Sequence, residues 1–206
     1  MLYTRKGDGG TTKTLHCDLP DGKAGQRLSK SSAIAEALGA VDELNSLLGF
    51  VKTQCLPDSK AGQGESLKQG LTLVLSQVQQ NLFIVQAELA GAQGKTIASE
   101  KVTAMEKIID EIEQKLPPIK TFFVSGGTPP AALFDFARTV ARRAERRVVA
   151  YSERSRGAAT PSQVEGSVKI GKFSLAYLNR LSSLLYALAR LANHESGITE
   201  QAPTYK

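Results

Sequence analysis

Five arginines and one glutamate fall within ten residues, Arg138, Arg142, Arg143, Glu145, Arg146 and Arg147, interleaved with Ala137, Val140, Ala141, Ala144 and Val148. On a helix advancing about 100° per residue the apolar members make one stripe, and Arg138, Arg142 and Glu145 gather within an arc of roughly 60° along its border. A guanidinium is a planar fork of donors that can hold a carboxylate or a polyphosphate through two bonds, and a glutamate nearby can orient it. The spacing therefore predicts that Arg138, Arg142 and Glu145 are half-buried and face an anion, with Arg143 and Arg147 solvated. From this segment alone, an ordinary charged helix face with i,i+4 support is an equal reading.

A second run, Gly7-Asp8-Gly9-Gly10-Thr11-Thr12-Lys13-Thr14, comes close to GxxxxGK[ST] but has Thr12 where the second glycine belongs. No buried strand precedes it, so a Walker nucleotide site is excluded. What remains is a loop whose glycines expose backbone N–H groups, whose Thr11 and Thr12 hydroxyls can donate, and to which Arg5, Lys6 and Lys13 bring charge. That is a phosphate-binding loop or a plain Gly/Thr-rich terminus. Asp42 and Asn45 share a helix face, either as a solvated edge or with Asp42 paired to an arginine of another helix or subunit. His16 and His194 have no partner at metal or triad spacing. Cys17 and Cys55 form no CxxC pair, which predicts reduced structural thiols in a cytosol-like compartment. No nucleophile elbow, HExxH or cysteine-centred motif supports a covalent hydrolase.

These residues must be positioned by helices. Intervals of three and four among apolar residues predict helices over 32–52, 67–90 and 99–115, the last stopped by Pro117-Pro118. Thr128-Pro129-Pro130 offers a capping hydroxyl and a first-turn proline for the arginine helix, and Phe173 to Asn193 forms the last helix. On that one Leu178, Leu181, Leu184, Leu185, Leu188 and Leu191 face inward, with Asn179, Ser183, Tyr186 and Arg190 opposite. Residues 154–172, with Gly157, Pro161, Gly166 and Gly171, read as a long connection. Five helices with almost no strand signal predict an all-α bundle in a single domain, 1–206, with an irregular loop segment over 1–30 and the helical bundle over 32–193.

With 41% hydrophobic and 22% charged residues in 206, the composition is that of a globular chain with a sizeable core. A net charge of +6 suits a nucleic acid, an anionic membrane surface or a phosphorylated small ligand. No apolar run reaches the length of a membrane span, and Met1 to Lys6 lacks a signal-peptide core, which predicts a cytoplasmic protein.

Taken in order, Tyr3-Thr4-Arg5-Lys6-Gly7-Asp8-Gly9-Gly10-Thr11-Thr12, Arg27-Leu28-Ser29-Lys30, Val41-Asp42-Glu43-Leu44-Asn45-Ser46, Ser125-Gly126-Gly127-Thr128-Pro129, the block from Arg138 to Val149 and Tyr177-Leu178-Asn179-Arg180-Leu181-Ser182 resemble the PduO-type ATP:cob(I)alamin adenosyltransferases. The resemblance spans nearly the whole chain. It implies a ferritin-like five-helix bundle forming a homotrimer, with ATP held between subunits and the corrin docked beside it. The implied reaction is attack of reduced cobalt, cob(I)alamin, on the 5′ carbon of ATP, giving adenosylcobalamin and triphosphate.

By the same resemblance Thr4, Arg5, Lys6, Gly7, Thr11, Thr12 and Lys13 with Lys30 wrap the triphosphate, and Arg142, Arg143, Glu145, Arg146 and Asn179 complete the nucleotide site. Asp42 and Arg138 match an ion pair across the subunit interface. Phe122, or its neighbour Phe123, matches an aromatic that displaces the lower axial ligand of cobalamin. Arg142, Asp42, Arg138 and Phe122 are the implied catalytic set. Mg2+ would arrive on ATP rather than in a protein cage. A reductase and an adenosylcobalamin-dependent enzyme are implied partners, with no nucleic acid and no membrane. The chain departs from the family pattern at Leu38, where tyrosine is common, at Ser125, where proline often precedes the two glycines, and at Ser183, where aspartate commonly follows.

Two other readings compete. A basic bundle that binds RNA is opposed by the interleaving of the arginines with core positions and by the lack of an aromatic stacking platform. A carrier with the same fold that holds and delivers finished adenosylcobalamin differs from the enzyme only in turnover.

Overall fold

The computed structural model describes residues 3–14, 27–54, 65–157 and 169–205, so His16, Cys17 and Cys55 lie outside the described residues. Five helices carry the architecture: α1 (Ala33–Gln54), α2 (Glu65–Leu89), α3 (Ser99–Glu113), α4 (Pro129–Gly157) and α5 (Lys172–Glu195). Ahead of them β1 (Thr11–Thr12) and β2 (Leu28–Ser29) form an antiparallel pair, with Thr11 opposite Ser29 and Thr12 opposite Leu28. This two-strand ladder is the one regular pairing within the N-terminal loop segment among the described residues. Two residues per strand are too short to leave an alternating pattern in sequence.

Helix starts follow local chemistry. The Ser32 hydroxyl accepts the Ala35 N–H at 3.4 Å, and the Thr128 hydroxyl accepts the Ala131 N–H at 3.3 Å. Pro129 occupies the first position of α4, where no N–H is needed. At the start of α5, Gly171 has no side chain to offer. Glu88, near the end of α2, takes over: its carboxylate accepts the Gly171 N–H at 2.7 Å, the Ser174 hydroxyl, and the Thr96 hydroxyl at 3.1 Å. An anion at a helix N-terminus also meets the positive end of the helix dipole.

α4 packs on α5 and on α1, α1 also holds α2, and α3 lies against α5. The expected stripes are the core: Val41, Leu44 and Leu48 of α1, Leu75, Leu82 and Val85 of α2, Ala137, Val140, Ala141, Ala144 and Val148 of α4, and Leu178, Leu181, Leu184, Leu185 and Leu188 of α5 are all buried. Each buried leucine contributes roughly 1.5–3 kcal/mol relative to exposure. An exposed pair such as Lys107–Glu111 contributes a few tenths of a kcal/mol, so the apolar stripes set the helix arrangement.

One buried polar knot crosses this core. Asn81 of α2 accepts from Lys101 of α3 at 2.6 Å and from Gln77 at 3.2 Å, and donates to the Tyr177 hydroxyl of α5 at 3.0 Å. Burial pushes the Tyr177 phenol up to about 12, with the Asn81 bond pulling the other way.

α4 continues to Gly157, four residues into the stretch expected to be a connection. No proline occurs between Pro130 and Pro161 to stop it, so the backbone keeps its helical bonds after the apolar period fades. The rest of that stretch, 158–168, lies outside the described residues. Among the described residues no helix is long and apolar enough to cross a membrane.

Candidate functional site

The five arginines of the 138–147 block of α4 divide by partner. Arg143 pairs with Glu43 of α1 at 2.5 Å, Arg147 with Glu36 of α1 at 3.1 Å, and Arg138 with Asp135 one turn earlier at 3.4 Å. Among the described residues Arg142 and Arg146 have no acidic partner; Arg146 donates to the Arg142 carbonyl at 3.1 Å. Burial also differs from expectation. Arg138 and Glu145 are half-buried as the helix geometry predicts, but Arg142 is exposed. Arg143 and Arg147 stay exposed yet are ion-paired to α1 rather than merely solvated.

Arg142 and Arg138 stand at a cavity of about 590 Å³ between α4, α5 and the irregular stretch 119–125. Arg138 forms part of its wall: its guanidinium lies 5.9 Å from the Tyr186 ring centroid, while its buried Nε makes no aligned hydrogen bond. Burial holds the Tyr186 phenol above its ordinary range; Arg190 and Arg138 pull it down, Glu200 and Asp135 push it up. Tyr186 is therefore a neutral donor at physiological pH. Phe122 is 78% exposed at the cavity rim, so it is not a core aromatic. Phe123 also lines the cavity, its ring centroid 5.2 Å from the Arg190 guanidinium.

Behind Arg142, Glu145 accepts from the Asn179 amide at 2.8 Å. The Asn179 oxygen in turn accepts from Arg180 at 2.8 Å, and Arg180 binds Glu106 of α3 at 2.8 Å. This chain fixes the orientation of the amide, with its nitrogen toward Glu145. Arg142, Glu145, Arg146 and Asn179 are thus brought together. Arg143 faces α1 instead.

The N-terminal arm is a second cluster. Arg5 and Gly10 adopt left-handed backbone at φ 59° and 76°, and turns close with Asp8 N–H to Arg5 O at 3.3 Å and Gly10 N–H to Gly7 O at 3.1 Å. The Lys30 N–H donates to Gly10 O at 2.9 Å, and a Cβ on Gly7 would lie 3.3 Å from the Lys30 ammonium. Arg27 clamps the strand, donating to the Thr11 hydroxyl and carbonyl, both at 2.7 Å. Thr11 Oγ1, accepting there, keeps its own proton to donate. Thr4, Arg5, Lys6, Lys13 and Lys30 are exposed, and Gly7, Thr11 and Thr12 are half-buried.

Asp42 is exposed and accepts from Gln86 at 3.3 Å. Within the chain it does not meet Arg138, whose ion-pair partner is Asp135.

Sequence reasoning missed several residues here. Arg190, expected on the polar face of α5, is buried at 4% exposure against Glu200. The available signal was a lone cation with leucines and alanines on every side from 187 to 192. Asn193 pins the turn before α4, donating to Gly126 O at 2.8 Å and accepting the Thr128 N–H at 3.0 Å. Gly127, at φ 103°, leaves no room for a Cβ beside that amide. Asp135 accepts the Gly126 N–H at 3.1 Å, tying the turn to Arg138. Among the described residues no group of three or more His, Cys, Asp or Glu side chains could hold a metal.

A family model described as cobalamin adenosyltransferase matches residues 2–192. The chain is 35% identical over 201 residues to the corrinoid adenosyltransferase PduO of Citrobacter freundii, covering 95% of this chain and 50% of that protein. It is 34% identical over 200 residues to the corrinoid adenosyltransferase of Bacillus subtilis, covering 96% and 89%. The chain spans about half the length of the PduO relatives it matches. Among solved structures it resembles a variant PduO-type ATP:corrinoid adenosyltransferase from Lactobacillus reuteri complexed with cobalamin and ATP, at TM-score 0.77 and 29% identity over 100% of this chain and 97% of that one. A second variant of that enzyme, complexed with ATP, superimposes at TM-score 0.75 with 30% identity, covering 98% and 100%.

Proposed function

The chain belongs to the cobalamin adenosyltransferase family, and from that premise we propose that it transfers the 5′-deoxyadenosyl group of ATP to the cobalt of cob(I)alamin, releasing triphosphate. In this reaction the cobalt electron pair forms the bond to C5′, and the C5′–O electron pair leaves with the triphosphate. The nucleophile belongs to the substrate, so the protein's part is to orient the two reactants and stabilise the departing charge.

Most support comes from the charge left over on α4. Three of the five guanidinium groups between 138 and 147 have internal counter-ions, whereas Arg142 and Arg146 have none among the described residues, and Arg142 stands at the cavity. We assign Arg142, Arg146, Glu145 and Asn179 to the nucleotide, with Arg143 joining only if it exchanges Glu43 for phosphate. The arm supplies the rest of the triphosphate cradle: Thr4, Arg5, Lys6, Gly7, Thr11, Thr12, Lys13 and Lys30. Mg2+ would come with ATP, held by phosphate oxygens. The cavity takes the corrin, with Phe122 at its lower face, where an apolar ring displaces the axial ligand and keeps water off the cobalt.

The two clusters hold together through separate sets of bonds, which fits a nucleotide enclosed by the arm of one subunit and the arginine helix of the next in a homotrimer. In that assembly Asp42 of one subunit would meet Arg138 of its neighbour. Residues 1–206 act as one domain, in the cytoplasm, receiving reduced corrin from a reductase and passing product to an adenosylcobalamin-dependent enzyme.

The test is direct. Incubate the protein with ATP, Mg2+ and cob(I)alamin under anoxic conditions; the alkylcobalamin spectrum should appear with one triphosphate per product. Product formed once per site and never again would favour the carrier reading, and no alkylcobalamin at all would reject the enzyme.

A further inference from the structure

The outer wall of the cavity is a stretch with no helix or strand of its own, between α3 and α4. Such backbone stays where its contacts put it. Arg190 makes two of those contacts and ties them to a third. It donates to the Pro117 carbonyl at 3.0 Å, lies 5.2 Å from the Phe123 ring centroid, and donates to the Glu200 carboxylate at 2.9 Å. The residue after Glu200 completes the arrangement, because the Val124 N–H donates to the Gln201 carbonyl at 2.8 Å. The pair is enclosed, at 4% and 17% side-chain exposure. A cation so buried is costly without its counter-ion. Glu200 and the wall therefore hold together or loosen together.

We propose that Arg190 is a positioning residue: with Glu200 as its counter-ion it latches the 117–125 wall to the 198–201 segment, and so sets how firmly Phe122 closes on whatever occupies the cavity. Only an arginine suits the place. A lysine ammonium could reach Glu200 or the Pro117 carbonyl but lacks the planar fork that serves both while stacking on Phe123. The latch also accounts for a buried charge that the adenosyl transfer itself leaves without a role. Its effect on ligand rests on reading the cavity as the corrin site.

The experiment compares the parent chain with Glu200→Gln and Arg190→Lys. Glu200 lies outside the helices, so Glu200→Gln tests the latch without entering the bundle, and Arg190→Lys keeps the charge and loses the fork. Three quantities are read: hydrogen exchange at the Val124 amide in the free protein, cob(II)alamin affinity by visible absorbance in the presence of ATP, and ATP affinity. Both variants should exchange at Val124 roughly ten- to a hundredfold faster, the range expected for losing one charge-assisted hydrogen bond. Cob(II)alamin should bind about tenfold or more weakly while ATP affinity stays within about twofold.

Unchanged exchange at Val124 in both variants overturns the latch. So does an equal loss of cob(II)alamin and ATP affinity, which would mark general loosening. If the parent binds no cob(II)alamin yet Val124 still responds to Glu200→Gln, the latch stands and the corrin reading falls.

Discussion

Replacing Glu88 by alanine should be among the most damaging single changes in this protein, although Glu88 lies outside the proposed nucleotide and corrin sites. The residue is 7% exposed, and its carboxylate accepts the Gly171 N–H and the Ser174 hydroxyl at the start of α5 and the Thr96 hydroxyl ahead of α3. Hydrogen bonds to a charged acceptor contribute about 1.5–3 kcal/mol each, and orphaned buried donors add their own penalty. The three bonds share one carboxylate and are not additive, so the expected cost of Glu88→Ala is about 3–5 kcal/mol. That is a large part of a typical 5–15 kcal/mol stability.

Glu88→Gln is the informative companion. Its amide oxygen can keep Gly171 and Thr96, and its NH2 can donate to Ser174, whose hydroxyl already accepts the Ile97 N–H at 3.3 Å. Only charge and one bond polarity are lost, for about 1–2 kcal/mol. Urea unfolding followed by far-UV circular dichroism at fixed protein concentration measures both, with slopes unchanged. Well below the transition, specific activity should match the parent. A Glu88→Ala cost under about 1 kcal/mol, or a glutamine variant no better than alanine, would refute the idea that α5 is capped from α2.

Other outcomes follow from the same geometry. Arg142→Ala removes an exposed cation rather than core volume, so adenosyl transfer should fall by about a hundredfold or more with the helical spectrum intact; near-parental kcat/KM would remove it from the site. Asp42→Asn should weaken trimer assembly or cut activity sharply, read by sedimentation velocity beside the activity assay, and a stable, active trimer would show the proposed intersubunit pair to be incidental. The Tyr177 phenol, raised from 10.0 to about 12 by burial, binds a proton in the fold that the unfolded chain releases. Stability is therefore whole below pH 10 and should fall by about 2–3 kcal/mol between pH 10 and 12. Tyr177→Phe should flatten that limb, and an unchanged slope would argue against a protonated buried phenol.

Helix positions were legible because apolar spacing and caps agreed. Thr128 caps α4 as its hydroxyl suggested, and the alanine–valine stripe of α4 is buried throughout. The arm was legible only as glycines, hydroxyls and charge. Its two-residue ladder and the Arg27 clamp depend on partners sixteen or more residues away, which no local period reports. The charge pattern of α4 misled in an instructive way: spacing gave the face of each arginine but not its counter-ion. Glu36 and Glu43 stand about a hundred residues earlier. Arg190 was misplaced because a charged residue was assigned to solvent by type, while Glu200 and a carbonyl of the linker enclose it. Asp42 and Arg138 rest on resemblance, since a contact between subunits leaves no mark within one chain.

Because Asp135, Glu43 and Glu36 offset three cations of the 138–147 block in place, the surplus field of that block narrows to a single helical turn around Arg142 and Arg146. A polymer with evenly spaced phosphates would find one foothold there and then a run of spent charge. A compact cluster of phosphates can put its whole charge on that spot.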